Sequence, residues 1–257
     1  MSNFKFLRWE TEGHVATVWL DRAPVNAVNQ EMYREIRALF VDVSVLGDGV
    51  RAIVLAGAGK HFCAGNDLNE FLTMDPGNAP GRMREVREAF FAIEDCPLPV
   101  IAAVQGTAVG TGLAIAASCD FVVAADDAKL GVTEIAVGLM GAAKHLSRLV
   151  PEPTMRWMFL SGDPVPATEL VPHGGVLATV PRDELLAEAH RRAARIVRHS
   201  PVTIRFAKRS FKQIEFMPRK VAYEYEQGLS GDLAGYADSK EAQKAFFERR
   251  EPVYTGR

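Results

Sequence analysis

The sequence predicts an α/β core followed by an all-helical C-terminal region. Three observations carry this. Strand-like and helix-like segments alternate as far as about Val180. The segments at 52–56 and 100–104 are apolar on both faces, as in sheets covered on both sides. Beyond Val180 no strand signal appears, and the amphipathic segments that follow have helical spacing.

The elements follow in order. His14 to Leu20 alternates as a strand, and the polar turn Asp21-Arg22-Ala23-Pro24 ends it. Asn29 is placed to cap a helix whose apolar face is Met32, Ile36, Leu39, Phe40 and Val43. Ala52 to Ala56 is a strand, and a Gly-rich loop runs from it through Gly65. A helix spans Arg82 to Glu94, and the strand Val100 to Val104 comes next. A glycine turn at 110–112 opens a short apolar helix, and a strand starts at Phe121. Asp183 to His199 and the stretches SPVTIRFAKRSFKQ and DSKEAQKAFFERREP read as helices. The chain divides into a core at 1–180 and a helical region at 181–257.

Composition excludes several function classes. The 257 residues carry a net charge of −2, so neither nucleic acid nor an acidic membrane surface is an expected partner. No apolar run reaches the length of a membrane span, and MSNFKFLRWE lacks the apolar stretch of a signal peptide. Cys63, Cys96 and Cys119 lack metal spacing and read as reduced thiols of a cytoplasmic protein.

Chemistry concentrates in two loops. Gly110-Thr111-Gly112 has the start of a dinucleotide fingerprint, but Ile115 stands where the third glycine belongs. Together with KHFCAGNDL (Lys60 to Leu68), it puts two small-residue turns at the C-terminal ends of strands, where α/β sheets bind ligands. Two converging N–H donors there would stabilise a developing enolate oxygen, aided by the helix starting at Thr111. Such turns also serve as plain packing devices, and the spacing alone leaves both readings open.

The two loops in this order resemble the enoyl-CoA hydratase/isomerase (crotonase) family. HFCAGNDL is similar to its F-[SC]-A-G-x-D-[LI] segment, and IAAVQGTAVGTGLAIAASCDFVVAADDAKLG to its second segment. LDRAPVNAV looks like its early CoA-side loop, and AFFERREPVY like its last helix. The resemblance covers about Thr17 to Tyr254. It implies a spiral of ββα turns, a C-terminal helical region that packs between subunits, and a homo-trimer or hexamer.

Carried over residue by residue, the resemblance implies that the N–H groups of Asn66 and Thr111 bind the thioester carbonyl and that Glu134 is the acid/base. Ala27, Ala64, Gly65, Asp67, Leu68, Gly110, Phe246 and Arg249 fall at substrate or CoA positions. Coenzyme A would be part of the substrate, with no separate cofactor and no metal. Leu68, Phe71, Leu72 and Met140 are expected as pocket walls.

The chain also departs from the family. The family's hydratases carry two glutamates, and the position of the other is Ala114 here. Thr111 replaces the usual glycine. Lys144 and His145 replace helix-starting glycines. Either both are solvated, or one faces the acyl group, where a His titrating near neutrality could stand in for a missing acid or base. Lys208, Arg209 and Lys212 are expected on a solvated face. One glutamate suits double-bond isomerisation or slow hydration. Hydrolysis or lysis of a C–C bond in a ring-derived acyl-CoA, or acyl-CoA binding without turnover, are the alternatives.

Overall fold

A computed structural model describes residues 4–256. The larger sheet has six strands: β1 (Leu7–Glu12), β2 (Val15–Leu20), β3 (Ala52–Gly57), β4 (Val100–Val104), β6 (Phe121–Ala125) and β9 (Thr179–Val180), in that spatial order. β1 pairs antiparallel with β2, and every later pair is parallel. A smaller sheet holds β5 (Thr107–Val109), β7 (Lys129–Gly131) and β8 (Val165–Pro166), with β5 and β7 parallel. Between β3 and β9 the chain alternates between the two sheets and inserts helices, which gives the expected spiral. β3 and β4 are buried at every residue, as their two-sided apolar pattern predicts.

Helix α1 (Gln30–Val41) begins as expected. The Asn29 side chain accepts the Met32 N–H at 2.9 Å. Met32, Tyr33, Ile36, Leu39 and Phe40 are its buried face. The helix stops at Val41, so Val43 packs from the following 3-10 turn rather than from the helix. The short α2 (Leu68–Phe71) and the longer α3 (Ala79–Glu94) come next, and α3 packs on α1. Helix α4 (Thr111–Ser118) is buried at every residue. A helix with no polar face must be enclosed on all sides, and α4 contacts β4, β5 and β6 as well as α3.

The short helices α5 (Ala143–Leu146), α6 (Glu152–Ser161) and α7 (Ala167–Leu170) join β7 to β9. Helices α8 (Leu185–Val197), α9 (Pro201–Ile214), α10 (Arg219–Leu233) and α11 (Ala237–Glu248) follow. α8 stands beyond residue 180, yet Leu185, Ala189 and Ala193 are buried within the main core. Its apolar stripe is the cover over β2, β3, β4 and β6. Past α8, Phe211, Tyr223, Phe246 and Phe247 on the helices and Phe216 in the turn after α9 are exposed. Among the described residues, no helix is long and apolar enough to cross a membrane. Cys63, Cys96 and Cys119 are free and buried.

The basic run in α9 is not wholly a solvated face. Lys208 is largely buried, and its ammonium lies 2.6 Å from Asp120 Oδ2, which also accepts the Val100 N–H at 2.7 Å. Lys212 pairs with Asp95. These contacts tie α9 to the β4 edge and to the end of α3.

Candidate active site

The two loops meet directly. Cys63 and Ala108 form a parallel bridge, and Val28 bridges Asn66. The Cys63 N–H donates to Thr107 O at 3.0 Å, and the Val109 N–H donates to Cys63 O at 3.2 Å. The start of α4 therefore lies against the first loop. A Cβ at Gly112 would stand 2.1 Å from Cys63 O, so only glycine permits this approach.

Backbone hydrogen bonds fix where the two N–H groups point. The Val28 N–H donates to Gly65 O at 2.9 Å. A trans peptide sends its C=O and N–H in opposite directions. The Asn66 N–H, on the same peptide as Gly65 O, therefore faces away from Val28. Likewise Gly110 O accepts the Ala114 N–H at 3.0 Å along the helix, so the Thr111 N–H projects from the N-terminus of α4. Neither N–H has a partner among the described residues.

The acid/base candidate arrives from the far side. Glu134 opens a 3-10 turn, Glu134–Val137, just after β7. Its Oε2 is buried without a hydrogen-bond partner. Burial pushes its carboxyl above the ordinary carboxylate value, and the N–H groups of Thr133 and Glu134 itself offset only part of this. A Cβ at Gly110 would lie 2.8 Å from Glu134 Oε1, and the φ of +54° at Gly110 also excludes ordinary side chains. The glycine turn is thus shaped by the carboxylate that faces it.

Two neighbouring spaces surround these groups. An open cleft of about 1080 Å³ is lined by Ala27, Ala64, Gly65, Asn66, Asp67, Leu68, Gly110 and Glu134, with Lys5 and Arg22 at its side. A narrower cavity of about 290 Å³ is lined by the polar Asn66, Thr111 and Glu134 and by Ala114. Phe71, Met74, Met83, Val86, Phe90, Leu139 and Met140 are the larger apolar side chains of its wall. Asn66, Glu134 and Leu139 line both spaces. Among the described residues, no three His, Cys, Asp or Glu side chains gather to hold a metal ion.

The expected residues divide into two groups. Asn66, Thr111, Glu134, Ala27, Ala64, Gly65, Asp67, Leu68 and Gly110 come together. Phe246 and Arg249, at the end of α11, line neither space. Phe246 is 79% exposed and stacks edge-to-face only on Phe247. Leu72 is no pocket wall: it is 86% exposed on the turn after α2, whereas Phe71 beside it points inward.

His145 is neither solvated nor in the cavity. Its ring packs edge-on against Phe90 at 5.0 Å. Burial and nearby Arg148 lower its titration to about 4, so it is neutral at physiological pH. Phe90 is the cavity wall, and His145 is its packing partner. Lys144 lies 4.9 Å over the Phe216 ring.

Sequence reasoning missed two groups. Tyr33 lies on the apolar face of α1, where its hydroxyl is easily overlooked. That hydroxyl donates to Asn66 Oδ1 at 2.5 Å and meets Thr111 Oγ1 at 2.7 Å. Arg22, in the turn after β2, donates to Ala27 O at 2.7 Å and to Asp67 Oδ2 at 2.6 Å. It holds the two sides of the cleft together and keeps the Asp67 carboxyl below its ordinary value. The charge alternation in DRAPVNAV and GNDL was the available signal for that pair.

Comparison with known proteins agrees with this architecture. Residues 10–257 match the enoyl-CoA hydratase/isomerase family model. The chain is 34% identical over 239 residues to a (7aS)-7a-methyl-1,5-dioxo-2,3,5,6,7,7a-hexahydro-1H-indene-carboxyl-CoA hydrolase of Rhodococcus jostii (strain RHA1), covering 93% of this chain and 92% of that protein. It is 31% identical to the 2,3-dehydroadipyl-CoA hydratase of Escherichia coli (strain K12), covering 90% and 89%. The structure of Pseudomonas aeruginosa DspI superposes with a TM-score of 0.92 at 31% identity, covering 98% of each chain. The chain has the crotonase fold and belongs to the enoyl-CoA hydratase/isomerase family of acyl-CoA enzymes.

Proposed function

We propose that this enzyme stabilises the enolate of an acyl-CoA thioester on the N–H groups of Asn66 and Thr111, with Glu134 as its single acid/base. The observation that carries this is the composition of one cavity. Asn66 and Thr111, whose N–H groups have no partner among the described residues, line it together with Glu134, whose Oε2 is buried, and Ala114 stands where the resemblance puts the hydratases' second carboxylate. The thioester oxygen would rest on the two N–H groups, its CoA portion in the open cleft and its acyl portion in the apolar cavity. Each oxyanion donor contributes roughly 2.7–4 kcal/mol in comparable enzymes.

One carboxylate suits a reaction in which the same group returns the proton it took. In double-bond isomerisation, Glu134 removes a proton from C2, the dienolate rests on the N–H pair, and the proton returns to C4. Its raised pKa suits it to hold that proton between the two steps. Hydration is slower, because no second carboxylate delivers a proton or holds the water.

A second reading is hydrolytic opening of a ring-derived acyl-CoA. It is favoured by the likeness to the hexahydroindene-carboxyl-CoA hydrolase. Here water, losing a proton to Glu134, would add to a ring ketone β to the thioester. The bond between the α and β carbons would break toward the thioester, leaving a carboxylic acid and an enolate on the N–H pair. Glu134 would then protonate the α carbon. This also needs one acid/base.

Turnover on matched panels separates the readings. The panels are short 2-enoyl-CoA and 3-enoyl-CoA esters and cyclic β-oxo acyl-CoA esters. Isomerisation of the 3-enoyl ester, abolished by Glu134→Gln, is expected under the first reading. Ring opening without isomerisation selects the second. Tight acyl-CoA binding with no turnover on any panel defeats both and leaves a binding subunit. The cytoplasmic location and the trimer or hexamer expected from the resemblance belong to the same proposal.

A further inference from the structure

Tyr33 is a buried polar group for which the chemistry above has no use. It is 1% exposed, and its ring packs edge-to-face at 6.1 Å on Phe90, which lines the acyl cavity. Its hydroxyl lies between the side chains of Asn66 and Thr111, both of which line that cavity. Those residues sit on different elements, Asn66 in the loop after β3 and Thr111 at the start of α4, while Tyr33 is on α1.

The proton arrangement in this trio follows from the orientation of the Asn66 amide, whose Oδ1 faces Tyr33. Asn66 Oδ1 is a carbonyl oxygen and only accepts, so the single phenol proton goes to it. The Tyr33 oxygen then has only lone pairs for Thr111, so the Thr111 hydroxyl donates its proton to Tyr33. The chain of donors runs from Thr111 through Tyr33 to Asn66. With its proton committed, the Thr111 hydroxyl cannot swing round and offer a competing donor to a thioester oxygen. Burial raises the Tyr33 phenol well above its ordinary value, so it remains a neutral donor.

We propose that Tyr33 is a positioning residue of the oxyanion hole: one phenol oxygen ties together the side chains of both donor residues and sets the gap between their N–H groups. The backbone bonds at Gly65 and Gly110 fix the direction of each N–H, but they belong to separate segments. The Tyr33 hydroxyl bonds both residues across that divide. This rests on the reading of Asn66 and Thr111 as oxyanion donors.

Tyr33→Phe removes one oxygen and keeps the ring against Phe90. The direct readout is the thioester carbonyl stretch of a bound, conjugated acyl-CoA, measured by Raman or infrared difference spectroscopy. Donors engaged on the oxygen lower its frequency. In the wild type the stretch should fall on binding. In Tyr33→Phe the fall should shrink, and kcat should drop about 10- to 100-fold with little change in KM. A merely structural hydroxyl would lower the melting temperature and leave the carbonyl shift intact. An unchanged shift and an unchanged kcat in Tyr33→Phe overturn the inference. If the wild type itself shows no shift, the oxyanion reading fails and takes this inference with it, a result distinct from the previous one. Should Tyr33→Phe not fold, Thr111→Val carries the test. It cuts the same donor chain while keeping side-chain shape and the backbone N–H, and it should give part of the same loss.

Discussion

Glu134→Gln should make the protein less active and more stable at once. The substitution keeps the side-chain shape and removes the charge. Glu134 Oε2 is buried and accepts no hydrogen bond. Leaving a buried polar group unsatisfied costs about 1–3 kcal/mol, and more when it is charged. The glutamine still lacks a partner, so only the charge-dependent part is recovered, about 1 kcal/mol. For a chain of this size that is a rise of roughly 2–4 °C in Tm. Turnover should fall at least about 100-fold with acyl-CoA binding nearly intact.

The gain has a pH signature. The Glu134 pKa is raised in the folded protein, so the native state holds this proton more tightly than the unfolded chain. The group therefore supports folding fully below its unfolded pKa, and this support is lost as pH rises through the folded one. The glutamine does not titrate. The Tm difference between variant and wild type should be present at neutral pH and close as the solution is acidified past the folded value. The acid limb of kcat/KM should lie above the ordinary carboxylate range, because the base must be ionised. Thermal melts across this range, with turnover measured on the same samples, make the test. A variant that melts lower than wild type at neutral pH, or a difference that does not change with acid, would refute the account of Glu134 as a carboxylate with one oxygen buried and unsatisfied.

Four further outcomes are expected. Ala114→Glu should raise hydration of a short 2-enoyl-CoA by about 10-fold, short of the 10²–10⁴ of a fully positioned acid/base. Absorbance loss of the conjugated thioester measures it, and no gain over the wild type counts against a limiting single carboxylate. Gly110→Ala should destabilise by about 1–3 kcal/mol through its positive φ and displace the Glu134 carboxylate; calorimetry and kcat report the two effects, and an unperturbed kcat would separate Gly110 from the site. Acyl-CoA esters should raise Tm by mass action while NAD and ATP should not; the reverse ranking defeats the ligand class. Light scattering at micromolar concentration should give a trimer or hexamer, because Phe211, Phe216, Phe246 and Phe247 stand exposed in the C-terminal helical region, and a monomer would contradict this.

What could be read in the sequence was what depends on local pattern. β3, β4 and α4 are apolar all round, and such segments have only one solution, complete enclosure. The two loops were legible because glycine marks backbone that must approach something closely, and here that something is Cys63 O and the Glu134 carboxylate. β1 was missed because its alternation is short and rests on two residues: Leu7 is buried and Trp9 half-buried against the core, while Arg8, Glu10 and Glu12 are exposed. α8 reads as one more amphipathic helix of the C-terminal series; that its stripe covers the sheet is set by the path of the chain after β9, not by the stripe.

His145 and Tyr33 show the same limit at the site. Both are polar side chains on helices; the sequence leaves His145 either solvated or facing the acyl group, and assigns Tyr33 no role. Their tertiary neighbours decide. Phe90 and Arg148 make His145 a neutral packing group, while Asn66 and Thr111, distant in sequence, make Tyr33 a junction between two loops. A hydroxyl on a buried helix face must find a partner. The useful question for such a residue is which segments can supply one, and here the answer was the pair of glycine loops that the sequence had already marked.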